Sequence, residues 1–214
     1  MKFWDVSRTL ANDLAPWPGD KPFHFKFTQT IADGAVVNLG SMSTSVHNGT
    51  HADAPFHFDS SGGTIDQVQV ETYFGRAVIL DLTKDFSNNG KHLIEIGDLQ
   101  DQADAIAQAP RLLIKTGVWG DSKIFPKRIP VIAPGVAEWI QARGVKLLGL
   151  DLPSVDTIDA KVLHNHHALA RAGIAIIESL DLSGVEPGMY NFAAFPLKIA
   201  GGDGAPLRAV LWRE

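Results

Sequence analysis

The sequence predicts an α/β fold, and two observations carry that prediction. The runs Ala77-Val78-Ile79-Leu80-Asp81-Leu82 and Arg111-Leu112-Leu113-Ile114-Lys115-Thr116 are apolar without alternation, the pattern of strands buried on both faces. Two helix-to-strand units follow in succession: residues 134–143 lead through Gly144 into 145–151, and residues 160–172 lead through Gly173 into 174–178. Strands of the first kind need helices to cover them, and the second pattern supplies the helices.

In chain order, residues 23–27 and 35–39 set short apolar runs among Gly, Pro, Asn and Asp and read as strands joined by turns, with little helix in the first third. Residues 96–109 repeat apolar positions at spacings of three and four and read as a helix. Pro134 suits the first turn of the next helix, while Gly144 and Gly173 stand where C-terminal caps belong. Residues 191–199 and 207–212 read as two last strands, separated by the turn-rich Ala200-Gly201-Gly202-Asp203-Gly204-Ala205-Pro206. Ser60-Ser61-Gly62-Gly63 is too short to separate domains, so a single domain over 1–214 is expected.

Composition narrows the function. The net charge of −5, with both signs interspersed, offers no concentrated positive field for nucleic acid or anionic lipid. There is no cysteine, which excludes disulfides, thiolate nucleophiles and thiolate metal sites and leaves His and carboxylates as the available metal ligands. Charges break the N-terminus before an apolar leader develops, and no run of about 18 apolar residues occurs, so a cytoplasmic, unprocessed chain is expected.

The chemistry concentrates in His47-Asn48-Gly49-Thr50-His51-Ala52-Asp53-Ala54-Pro55-Phe56-His57-Phe58. Imidazole and carboxylate are the ligands of a catalytic zinc or similar divalent ion, which commonly keeps three protein ligands and a water. Gly49 and Pro55 argue against a helix here; in a strand and its exit loop, His47, His51 and Asp53 differ by even numbers and project to one face. A second cluster, His164-Asn165-His166-His167, precedes the strand ending in Glu178 and either joins the first cluster or forms an exposed helix terminus.

These residues resemble the metal-dependent cyclase-type hydrolase family, most closely its bacterial kynurenine formamidases. The hallmark H-x-G-T-H-x-D-x-P-x-H-F is matched at every fixed position by His47, Gly49, Thr50, His51, Asp53, Pro55, His57 and Phe58. Further matches are Asp5-Val6-Ser7, Pro16-Trp17-Pro18-Gly19-Asp20, Ile114-Lys115-Thr116-Gly117, His166 twelve residues before Glu178, Phe195-Pro196-Leu197-Lys198 and Pro206-Leu207-Arg208. The resemblance implies a β-barrel-like centre, a mixed sheet with flanking helices, and a homodimer or higher homo-oligomer. It implies two zinc ions, the first held by His47, His51 and Asp53, with Asp53 bridging to a second held by His166 and completed by Glu178. His57 would transfer protons and Trp17 would contact substrate, while His24, His92, His164 and His167 keep surface or structural roles.

The activity so implied is hydrolysis of N-formyl-L-kynurenine to L-kynurenine and formate in tryptophan breakdown. Phe23, Phe56 and Trp17 are candidates for an apolar wall around the aromatic ring. Two alternatives stand beside it: a relative acting on another amide or a cyclic amide such as isatin, and a metal-binding module without catalysis. His57 argues against the module, because a closed structural site has no use for an extra His beside an open position.

Overall fold

The strands expected from their apolar runs assemble into one mixed sheet in the computed structural model, which describes residues 1–86 and 90–214. The first half of the chain carries β1 (Lys2–Asp5), β2 (His24–Gln29), β3 (Leu39–Ser43), β4 (His51–Asp53), β5 (Phe74–Asp81), α1 (Thr83–Phe86), β6 (Leu93–Ile94), α2 (Ile96–Leu99), α3 (Ala103–Ala107) and β7 (Arg111–Lys115). The second half carries β8 (Val131–Ile132), α4 (Val136–Gln141), β9 (Leu147–Leu150), α5 (His164–Arg171), β10 (Ala175–Glu178), β11 (Gly188–Ala193), β12 (Gly204–Pro206) and β13 (Val210–Arg213). Nine of the strands form a curled sheet in the order β1-β13-β11-β5-β7-β9-β10-β4-β12. Its centre, β5-β7-β9-β10, is parallel. Both flanks are antiparallel.

The parallel centre is apolar on both faces because each face has its own cover. Val78, Leu80, Leu112, Ile114, Leu148 and Ile176 pack under the helices against Leu99, Ile106, Ile140 and Leu169. Their alternates Ala77, Ile79, Leu113, Leu147 and Ile177 point into the curl of the sheet, where Ala52, Leu180, Phe192 and Leu211 meet them. Leu113 is fully buried, and its truncation to Ala should cost about 2–5 kcal/mol.

Several boundaries differ from expectation. The helix expected over 96–109 is split into α2, a 3-10 turn at Gln100–Gln102 and α3; the three polar residues of that turn are exposed, so no packing holds them in a regular α-helix. α4 starts at Val136 with Gly135 as its N-cap, which leaves Pro134 outside the helix. α5 starts only at His164. The strand expected at 35–39 begins at Leu39, because Asn38 Oδ1 accepts the Ile31 N–H at 2.8 Å and closes a loop over the preceding residues. β11 stops at Ala193, before Pro196, which lacks the N–H a ladder needs. The turn-rich stretch before Pro206 contains β12, an edge strand on which Pro is tolerated.

Candidate metal centre and its cleft

β4 places two of the expected residues. His51 and Asp53 are two apart on a pleated strand and share a face, with His51 Nε2 3.4 Å from Asp53 Oδ1. β10 runs antiparallel beside β4 with Glu178 opposite His51, which sets Glu178 Oε2 3.5 Å from the same nitrogen. From the helix layer, His166 brings Nε2 to 3.4 Å from Asp53 Oδ2 and 3.6 Å from Glu178 Oε1. All four side chains are buried.

His47 departs from the strand-and-exit-loop arrangement. β4 begins only at His51, and His47 precedes it in a turn that includes Gly49 at φ 67°. A side chain at Gly49 would face a strained backbone and Leu10 Cδ2 at 2.8 Å. The turn still delivers His47 Nδ1 to 3.1 Å from Asp53 Oδ1. His57 ends the 3-10 turn Pro55–His57, its ring centroid 4.1 Å from that of His47.

The backs of these residues are held. Gly49 O and Asp156 Oδ2 are acceptors, so His51 Nδ1–H donates to the first at 2.9 Å and His166 Nδ1–H to the second at 2.7 Å. Glu178 Oε1 accepts the Val155 N–H at 2.9 Å. Both Nε2 atoms are thereby turned toward the carboxylates, the orientation that outer-shell partners impose on metal-ligating imidazoles.

Separations of 3.4–3.6 Å are too long for hydrogen bonds, so charge rather than proton sharing links the ring nitrogens to the carboxylates. Asp53 Oδ2 has no hydrogen-bond partner among the described residues. Burial alone would lower the His51 imidazole, yet Asp53 and Glu178 outweigh it and push it up to about 10. His166 is likewise lowered by burial but raised to about 10 by Asp156, Asp53 and Glu178. Burial would raise Asp53, and His166, His47 and His51 instead hold its carboxyl well below the usual range. Two buried carboxylates facing three imidazoles, with an unpaired oxygen between them, call for a cation.

The residues present therefore fit a divalent metal. Among the described residues, His47, Asp53 and His57 can bring ligand atoms within 4.8 Å of one another, and so can His51, Asp53 and Glu178. The resemblance divides the residues differently, pairing His47 with His51 and His166 with Glu178. Asp53 is the shared carboxylate in both divisions.

His47, His51, His57, His166 and Glu178 line a cleft of about 300 Å³. Trp17 lines it as well. Phe23 is buried in the fold and Phe56 is exposed, and neither lines the cleft; the other aromatic walls are Trp119 and Phe125, with Ile158 and Leu163 beside them. Phe125 lies edge-on to both tryptophans, at 5.4 Å from Trp17 and 5.7 Å from Trp119. Of the remaining histidines, His24, His92 and His164 are exposed and His167 packs edge-on against Phe58.

Sequence reading missed Asp156, Asp203, Trp119 and Phe125. Asp203 Oδ2 accepts from His47 Nε2 at 3.0 Å and from His57 Nδ1 at 3.3 Å. The available signal for it was a carboxylate among three glycines, Gly201-Gly202-Asp203-Gly204, where backbone comes close to something else.

The family model described as "Putative cyclase" matches residues 4–157. The chain belongs to this cyclase family. Within reach of this member is a kynurenine formamidase from Geobacillus thermodenitrificans (strain NG80-2), 42% identical over 207 residues that cover 97% of this chain and 95% of the relative. A solved structure titled as a potential metal-dependent hydrolase with cyclase activity superposes with a TM-score of 0.79 at 27% identity, covering 100% of this chain and 98% of the other. Isatin hydrolase A from Ralstonia solanacearum superposes with a TM-score of 0.81 at 25% identity, covering 98% and 91%.

Proposed function

We propose that this cyclase-family chain is a metal-dependent amide hydrolase that converts N-formyl-L-kynurenine to L-kynurenine and formate in tryptophan degradation. The observation that carries the reading is the buried His51, Asp53, His166 and Glu178 cluster, of which His51, His166 and Glu178 line an aromatic-walled cleft, in a chain 42% identical to a kynurenine formamidase. His47, His51 and Asp53 would hold one zinc ion, and Asp53, His166 and Glu178 a second. Bound there, the ions supply an activated water and a Lewis acid for the formyl oxygen.

The chain's own residues do the rest. Trp17, Trp119 and Phe125 flank the aromatic ring of the substrate and exclude water from it. His57 stands at the cleft beside His47, where its imidazole can take a proton from the attacking water and deliver it to the departing aniline nitrogen. A cytoplasmic homodimer or higher homo-oligomer completes the reading. The hairpin of β2 and β3, with Phe25, Phe27, Leu39 and Met42 exposed, supports self-association.

A second reading, hydrolysis of a cyclic amide such as isatin, is favoured by the likeness to isatin hydrolase A. Assay of the purified, metal-replete protein against formylkynurenine and isatin in parallel decides between them. Turnover of formylkynurenine is expected. Efficient turnover of isatin without turnover of formylkynurenine would overturn the proposal.

A further inference from the structure

The stretch that delivers Asp203 is built to press on His47. β12 pairs with β4 so that Gly204 stands opposite Asp53, and the Ala54 N–H donates to Asp203 O at 2.9 Å. The backbone of Asp203 itself and that of its neighbour Gly204 are thus tied to the strand that carries the metal-centre residues and to the residue that follows it. Gly204 leaves no room for a side chain: a Cβ there would lie 2.7 Å from His47 Cε1 and 2.9 Å from Ala52 O. The backbone lies against one edge of the imidazole while the adjoining carboxylate reaches its far nitrogen.

We infer that Asp203 is a positioning residue for His57, because one oxygen, Oδ2, accepts from both His47 Nε2 and His57 Nδ1 and so ties the proton-transfer ring to the metal-centre ring. An exposed ion pair alone would mean little, and the Asp203 side chain is 44% exposed. The backbone ties and the shared oxygen are what set it apart. With Nδ1–H donating to Asp203, neutral His57 keeps its proton on Nδ1 and its lone pair on Nε2. That lone pair accepts the proton from the attacking water. As the carbon–nitrogen bond breaks, its electron pair goes to the aniline nitrogen, His57 Nε2–H supplies the proton there, and the ring returns to its neutral form. Asp203 gives up no proton and touches no reacting atom.

The inference rests on the proton-transfer role proposed for His57, and the test keeps the two separate. Wild type, His57→Ala, Asp203→Ala, Asp203→Asn and the double variant His57→Ala/Asp203→Ala are compared on ring-substituted formanilides at saturating zinc. Asp203→Ala should lower kcat about 10- to 100-fold with KM little changed, and the loss should grow from 4-nitroformanilide to 4-methoxyformanilide as the amine becomes a poorer leaving group without a proton. Asp203→Asn, which keeps an acceptor oxygen, should recover much of that loss. Added to His57→Ala, Asp203→Ala should cost less than about 3-fold. Independently of activity, ¹⁵N NMR of the metal-free protein should show His57 as the Nδ1–H tautomer in wild type and a tautomer mixture in Asp203→Ala.

An equal loss on every formanilide, a full additional loss in the double variant, or an unchanged tautomer would overturn the role of Asp203. A wild-type enzyme inert toward all formanilides, or a His57→Ala variant as fast as wild type, would instead overturn the reading on which it rests.

Discussion

Glu178 stands directly across from His51 in the antiparallel pair of β4 and β10, and its Oε2 reaches within 3.5 Å of His51 Nε2 without a hydrogen bond between them. The ladder holds the two backbones opposite each other, and the bonds from Val155 N–H to Glu178 Oε1 and from His51 Nδ1–H to Gly49 O hold the two side chains at that separation. Asp53, on the same face as His51, adds an oxygen with no hydrogen-bond partner among the described residues. The purified protein should therefore carry close to two divalent ions per chain, and Asp53→Asn should reduce that content because the shared carboxylate loses its charge. Elemental analysis reads the result. Full activity in a thoroughly metal-free preparation would remove metal from the reaction.

Protons take the cation's place when metal is stripped away. Burial lowers and the neighbouring carboxylates raise His51 and His166, which end at about 10, against about 6.5 in an unfolded chain. A folded-state pKa above the unfolded one gives stability that is complete below about 6.5 and lost as pH rises through about 10. Metal-free protein should thus lose melting temperature steadily between those limits, while metal-loaded protein, whose imidazoles are already deprotonated, holds its value. The gap between the two curves should widen with pH. Parallel curves from pH 6.5 to 10 would count against a common site for protons and metal.

The outline of the fold was legible because packing is written in the chain at its centre. β5, β7, β9 and β10 are buried on both faces, so their runs of Val, Ile and Leu announce strands without help from context. β1 and β12 are edge strands, and nothing in Lys2–Asp5 or Gly204–Pro206 says strand until β13 and β4 offer partners. The site divides along the same line. His51 and Asp53 were readable from their spacing and His166 from the resemblance, whereas Asp203, Trp119 and Phe125 are single residues in loops or at an edge, brought in only by tertiary closure.

His57 lies close enough to His47 and Asp53 to serve as a ligand itself, so its role has to be separated from metal binding. If it moves protons, His57→Ala should cost about 10²–10⁴ in kcat and keep most of the bound metal. His47→Ala should lose metal. Measured together, matching metal losses in the two variants would make His57 a ligand and return the search for the proton carrier to the cleft.

Trp17 tests whether the cleft recognises an aromatic substrate. Its loop is fixed by the turn in which Asp20 N–H donates to Trp17 O at 2.9 Å, and Ser45 Oγ–H ties Asp20 Oδ2 to the chain just before His47 at 3.0 Å. The flanking prolines restrict the backbone further. The indole is half-buried, lines the cleft, and meets Phe125 edge-on at 5.4 Å and 83°, so it is neither a free surface group nor a plug of the main core. A stiff wall of this kind presents an aromatic face to a ligand at little entropic cost. Because Trp17 carries no titrating group, Trp17→Ala should lower kcat/KM, chiefly through KM, and leave metal content unchanged. A buried plug would show itself differently, since truncating one costs about 3–5 kcal/mol and lowers the melting temperature by many degrees. A large fall in melting temperature, with normal kinetic constants for the enzyme that remains folded, would assign Trp17 to packing and leave Trp119 and Phe125 to form the substrate wall.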